Sequence, residues 1–312
     1  MEFIKGFTFY LNESRTHGFA SVETKESLRI MKETTGCDTV ILAFGAWQET
    51  PQSEDIEYSG HYIPTEEELE KIIGYAFEYG LKVIMKPMVN CRNGVWRAHI
   101  NFFDLEVVCE PKWSRWFAAY EKYILKYAEV AERTGCMMFV IGCELVQTER
   151  KEEYWRALTD RVRQVYHGLI TYNTDKYQEG QVKWWDCVDV ISSSGYYPRS
   201  DWEKNLERIH ETVKKYNKPF FFAECGCMCV KGCQNVPNDW SFKGETDQMV
   251  QADYFEHMFR EIADHPWVQG TGIWDWDSDF RERLPDEKGY SVYGKKAAEI
   301  IRKYYAGNGV FS

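Results

Sequence analysis

The chain has 312 residues, 44% hydrophobic and 16% aromatic, with 38 basic and 49 acidic side chains and a formal net charge of -11. That is apolar material for one large core, and the acidic balance argues against nucleic acid or an acidic membrane surface as partner. No run reaches the roughly 18 apolar residues of a membrane span. The amino terminus, MEFIKGFTFYLNE, lacks a basic segment followed by a long apolar one, so no export signal is expected. Ten cysteines without such a signal point to reduced thiols and a cytoplasmic location.

Short apolar runs alternate with stretches of helical period along the whole chain. The first run, 6–10, ends in Phe9-Tyr10 and leads to a helix at 23–34. A second, 39–44, runs out through Gly45 and Ala46 to Trp47, ahead of a helix at 65–79 whose Thr65 and Glu68 form a capping-box pattern. The third, 82–88, carries Lys86 and Asn90 at its end and precedes a helix at 111–133. The fourth, 137–142, stops at Glu144, and a helix follows at 152–166. The fifth, 168–173, ends in Asn173, and the interval 175–185 after it is only weakly helical. The sixth, 188–193, delivers Tyr196-Tyr197 before a helix at 201–216. The seventh, 219–223, closes on Glu224, with a helix at 246–263, and the eighth, 270–274, ends in Trp274-Asp275-Trp276 before a last helix at 292–305. Gly80, Gly135 and Asn217 sit where helices should stop.

Eight strands interleaved with helices imply a parallel sheet with helices outside, and at this length a single-domain (β/α)₈ TIM barrel over residues 1–312 fits best. An open doubly wound sheet ranks second, since no GxGxxG follows the first strand. In a barrel, chemistry gathers at the carboxyl ends of the strands. There the chain offers two glutamates, on strands four and seven. Charged groups beside such apolar runs are costly unless paired or used. Cleavage of a glycosidic bond needs such a pair, one protonated carboxyl for the leaving oxygen and one carboxylate as nucleophile or base.

The stretches KGFTFY, KPMVN with VWRAHI after it, FVIGCEL, LITYNTD, WWDCVDVISSSGYYP, FFFAECG and GIWDWD resemble glycoside hydrolase family 113, the β-mannanases, within the clan A glycoside hydrolases. The resemblance runs nearly end to end. It implies that Glu144 is the acid/base, that Glu224 is the nucleophile, and that β-mannosidic bonds are cleaved with retention. It also implies that Lys86, Asn90, Trp96, Arg97, Asn173, Tyr196 and Trp274 line the sugar subsites. One departure concerns the residue before the acid/base. Many clan members carry Asn there, bonded to the sugar 2-hydroxyl, whereas this chain has Cys143, a poor hydrogen-bonding partner. An axial 2-hydroxyl, as in mannose, is compatible with that loss.

Further expectations follow from the side chains themselves. Tyr196 is placed to donate a hydrogen bond that keeps Glu224 ionised. Trp274 is expected under the sugar at the cleavage point, with Trp47 or Trp96 at a neighbouring subsite. Lys86 reads as a donor to sugar hydroxyls or as a structural partner of an acidic rim residue, and binding sugar and pairing with Asp275 are not exclusive. Cys225, Cys227, Cys229 and Cys233 follow Glu224 closely, but C-x-C-x-C-x₃-C fits tetrahedral zinc poorly, and packed free thiols are expected instead. A reaction run on carboxylates calls for no metal or cofactor. The expected partner is thus a β-linked oligosaccharide. Two alternatives stay open: a retaining hydrolase of a β-glucoside, xyloside or galactoside, and a carbohydrate-binding barrel without turnover.

Overall fold

The computed structural model describes residues 1–11, 17–278 and 287–307. Eight parallel strands close on themselves in sequence order: β1 (Ile4–Tyr10), β2 (Thr39–Gln48), β3 (Lys82–Cys91), β4 (Met138–Cys143), β5 (Leu169–Thr174), β6 (Val190–Ser194), β7 (Phe220–Cys225) and β8 (Val268–Asp277). The helices between and after them are α1 (Val22–Thr35), α2 (Glu66–Glu78), α3 (Trp113–Thr134), α4 (Glu152–Val165), α5 (Trp202–Tyr216), α6 (Gln248–Ala263) and α7 (Lys296–Ala306). This is the (β/α)₈ barrel that the alternation of apolar runs and helical periods implies.

Local signals place the helix ends. The Thr65 hydroxyl accepts from the Glu68 N–H at 3.2 Å and the Glu68 carboxylate from the Thr65 N–H at 2.9 Å, a complete capping box. Gly135 and Asn217 take left-handed conformations that end α3 and α5.

The fifth unit departs from the repeat. No helix links β5 to β6, only loop and a 3₁₀ turn at Trp185–Cys187. Two fully buried tryptophans cover the sheet in its place. Trp184 stacks on Trp155 of α4 at 5.0 Å, and its Nε1 donates to the Glu149 carbonyl at 3.0 Å. Trp185 donates to the Glu179 carbonyl at 2.8 Å. Their bulk supplies the apolar cover that a helix face gives elsewhere, so the missing helical period reflects a real substitution of loop for helix.

Strand alternation sorts the core into two compartments. Phe7, Phe9, Val40, Leu42, Phe44, Val83 and Met85 pack outward against the helices. Ile4, Ile41, Ile84, Met138, Val140, Val190, Phe221 and Ala223, from six different strands, pack on one another and so must fill the barrel interior. One layer higher, Ala43, Met88 and Cys143 meet Tyr10 and Trp274. That layer is the floor of the cleft. No helix among the described residues is long and apolar enough to cross a membrane.

Candidate active site

Simple alternation would bring Glu144 inward but not Cys143 before it, and would turn Glu224 outward. On β4, Met138 and Val140 face the interior, which assigns Cys143 to the helix side. The β4–β5 pairing slips between Val140 and Cys143, and this irregularity turns Cys143 into the barrel with Glu144 just beyond it. Gly142, inside the slip, has no room for a side chain: an added Cβ would lie 2.8 Å from both the Trp155 and Tyr172 rings. Glu144 itself has φ of 53°, a left-handed conformation uncommon outside glycine. On β7, Ala223 already faces inward, yet Glu224 does too. The β6–β7 register shifts at this point, so that Ser194 pairs with Glu224.

Glu224 is 4% exposed and held from two sides. Lys86, fully buried on β3, donates to Oε1 in an ion pair, and the Tyr196 hydroxyl donates to Oε2 at 2.9 Å. Burial by itself would push the Glu224 carboxyl up. The charge and hydrogen bond of Lys86, the charge of Arg97 and the Tyr196 hydroxyl outweigh it and hold the group below the usual carboxylate range. Burial likewise draws the Lys86 ammonium down, and the charge of Glu224 with its hydrogen bond, and the charge of Glu144, push the other way and hold the group up. Both groups are therefore charged. Lys86 also donates to Asn173 Oδ1 at 2.7 Å, and Asn173 Nδ2 donates to Ser194 Oγ at 3.1 Å and to the Thr174 carbonyl at 2.9 Å.

Glu144 has different company. Ser194 Oγ donates to its Oε1 at 2.7 Å, while Trp96 Nε1 at 3.3 Å and the Arg97 guanidinium at 3.4 Å approach Oε2. Arg97, on the turn after β3, is aimed by two hydrogen bonds to Asn90 Oδ1, at 2.9 and 3.2 Å. Trp96 is 43% exposed, so the tryptophan beside Glu144 reaches the surface, while Glu144 itself is buried. Trp274 lies against Tyr10 with ring centroids 5.8 Å apart.

Several sequence expectations meet here and some are redirected. Lys86, Asn90, Trp96, Arg97, Asn173 and Tyr196 converge with Glu144 and Glu224 in one hydrogen-bonded network. The ionic partner of Lys86 is Glu224 rather than Asp275, because the Lys86 ammonium lies in the barrel interior between β5 and β7. Lys86 and Asn173 have their polar atoms committed to this network rather than turned to an open cleft. Trp47 lies apart: the Arg92 guanidinium covers its ring at 5.4 Å, and its backbone bridges to Glu57.

Three participants escaped the reading of strand ends. Ser194 lies in an unremarkable Ser-Ser-Ser run. Cys143 was noted only for what it replaces; its thiol lies 3.4 Å from Glu224 Oε1. Burial, aided by the two glutamates, pushes that thiol up, so it stays protonated and donates. Asp175, two residues beyond Asn173 on the same face, is 9% exposed, and burial followed by the Glu144 charge pushes its carboxyl up to about 7. Alternation along β5 could have signalled it.

Among the described residues no three His, Cys, Asp or Glu side chains are grouped as a metal site. Cys225 and Cys227 lie in the compartment shared with the helices, away from the cleft, and the Cys227 and Cys233 thiols hydrogen-bond each other.

A closed barrel that presents two buried carboxylates from β4 and β7, one paired with a buried lysine and one with an arginine beside a half-exposed tryptophan, defines a glycoside hydrolase of the clan A kind. The family model of glycoside hydrolase family 113 matches residues 7–295. The chain belongs to glycoside hydrolase family 113. Among solved structures it resembles a family 113 β-1,4-mannanase in a complex, at 48% identity with TM-score 0.96, over 99% of this chain and 100% of that one. It also resembles the family 113 β-mannanase AaManA from Alicyclobacillus acidocaldarius in complex with ManMIm, at 35% identity and TM-score 0.92, over 98% of each chain. A β-D-glucuronidase from Dictyoglomus thermophilum, 17% identical with TM-score 0.67 over 100% of this chain and 52% of that chain, shares the fold alone. No functionally curated protein matches significantly.

Proposed function

We propose that this chain hydrolyses β-1,4-mannosidic linkages in manno-oligosaccharides with retention, Glu224 acting as nucleophile and Glu144 as acid/base. The observation that carries the reading is the division of environments: Glu224 is locked to a fully buried lysine and a phenol, while Glu144 has only long contacts to Arg97 and to the half-exposed Trp96 besides the Ser194 hydroxyl. In the first step a Glu224 oxygen attacks the anomeric carbon as Glu144 gives its proton to the departing glycosidic oxygen. Charge then leaves Glu224 as an ester forms. In the second step Glu144 takes a proton from water, the hydroxide attacks the same carbon, and the ester bond's electrons return to Glu224, where Lys86 and Tyr196 receive them. Pre-placed donors of this kind stabilise charge without reorganisation.

Trp96 and Trp274 present the flat apolar surfaces for the sugars, and Arg97, held by Asn90, orients Glu144. Asn173 and Lys86 act on Glu224 from beneath. Mannoside preference is supported by the likeness to β-mannanases and by Cys143, which removes an amide suited to an equatorial 2-hydroxyl. Action in the cytoplasm belongs to the same proposal, since ten cysteines would risk mispairing in an oxidising compartment; cell fractionation tests it.

The central test sets manno-, cello- and xylo-oligosaccharides side by side and follows the anomer released by NMR. Mannotetraose should be cleaved with the β-anomer first. Comparable kcat/KM on cellotetraose, or initial release of the α-anomer, would defeat the reading.

A further inference from the structure

We propose that Tyr172 is a positioning residue for the acid/base: from outside the barrel it fixes the backbone on both sides of Glu144. The inference rests on the acid/base role proposed above. Tyr172 is on β5 and fully buried, with its ring in the layer between barrel and helices rather than in the cleft. It therefore touches no substrate. It touches the chain before Glu144, because its ring occupies the space that a side chain at Gly142 would need. It touches the chain after Glu144 as well, because its hydroxyl accepts from the Leu145 N–H at 3.1 Å.

The hydroxyl is itself aimed. It donates to Glu149 Oε1 at 2.9 Å, and Thr174 Oγ1 donates to the same oxygen at 2.7 Å. The ring cannot swing, being packed against Trp155 and Trp184 with centroids 4.9 Å away in both cases. Glu149 is 6% exposed and makes no ion pair among the described residues. Burial without a cation keeps a proton on Glu149, and the task left to its Oε1 is to orient two hydroxyls. Between these contacts Glu144 holds its left-handed conformation, with its own N–H bonded to the Asn173 carbonyl at 2.8 Å. Left-handed residues persist where the surroundings over-determine them. Here the ring, the phenol and the strand partner do so.

The consequence is specific to acid assistance. If Leu145 loses its anchor, Glu144 drifts from the leaving oxygen, and substrates with poor leaving groups suffer most. Small misplacements of a catalytic group cost about a hundredfold. In Tyr172→Phe, kcat/KM on mannotetraose should fall about tenfold to a hundredfold, while that on dinitrophenyl β-mannoside stays within about threefold. Thr174→Val, close to isosteric, removes one of the two donors that set Glu149 and should move the same ratio in the same direction by less. Glu149→Gln keeps an acceptor oxygen and should leave the ratio near its wild-type value. Equal losses on both substrates, or an unchanged ratio in both Tyr172→Phe and Thr174→Val, would overturn the inference. Glu144→Ala run in parallel separates the two readings. If it shows no leaving-group dependence, the acid/base assignment has failed; if it does and Tyr172→Phe does not, only the positioning role has failed.

Discussion

Replacing Lys86 by methionine tests whether the buried ion pair governs Glu224. Methionine keeps the length and most of the volume but removes the charge, leaving a carboxylate at 4% exposure without its cation. Breaking one partner of a buried pair costs about 3–5 kcal/mol. With an unfolding entropy of about 2.1 cal/mol/K per residue, 312 residues give about 0.65 kcal/mol/K, so Tm should drop by roughly 5–8 °C at neutral pH. The pH dependence identifies the cause. The folded-state value of Glu224 is depressed, so its pairing contributes above the unfolded carboxylate range and is lost as pH falls through the folded value. As pH falls, Glu224 of the variant takes up a proton and sheds the cost of an unpaired buried charge, while the wild type gains nothing, so the gap narrows. Scanning calorimetry at pH 7 and pH 4 reads it directly. Turnover should collapse on aryl mannosides and mannotetraose alike, because the nucleophile is affected whatever the leaving group. An equal Tm loss at both pH values would refute the electrostatic argument and leave only packing.

Tyr196→Phe removes the 2.9 Å bond to Glu224, worth about 1.5–3 kcal/mol, and should lower kcat/KM roughly tenfold to a hundredfold with the fold intact by circular dichroism. Burial pushes the Glu149 carboxyl up to about 8, so the folded chain holds a proton there that the unfolded chain releases near pH 4.3. Wild-type stability should therefore fall, relative to Glu149→Gln, as pH rises from about 4.3 to about 8, and urea midpoints at pH 5 and pH 8 check the sign. Gly142→Ala forces a Cβ to 2.8 Å from two aromatic rings, and overpacking of this kind should cost about 1–3 kcal/mol, seen as a lower urea midpoint. Dialysis against a chelator should leave kcat unchanged, since the proposed steps use carboxylates alone.

What the sequence made legible were features that one strand or helix decides by itself. Apolar runs located all eight strands, and Thr65 with Glu68 fixed the start of α2. Glutamates at the ends of β4 and β7 stood out because nothing near them in sequence was charged to match. Long-range pairing was hidden. Lys86 and Glu224 are 138 residues apart, and the interval from Lys86 to Asp275 looked no less plausible until the strands were closed in order. The slips in β4 and β7 were hidden too. They are set by how neighbouring strands register, and a single strand read alone carries only its alternation. The fifth interval was weakly helical for a reason visible only in the fold, where Trp184 and Trp185 take over the covering role.

Those two slips have a consequence for protein engineering. Each inserts a break in parity immediately ahead of a glutamate, so the pair belongs to an irregular barrel and cannot be copied by residue identity. Grafted onto an idealised scaffold with uninterrupted strands, the same residues would turn Glu224 and Cys143 against the helices and break up the cluster around Lys86. A transplant would have to carry the irregularity first, with the small residue at 142 and the offset between Ser194 and Glu224, and only then the acids.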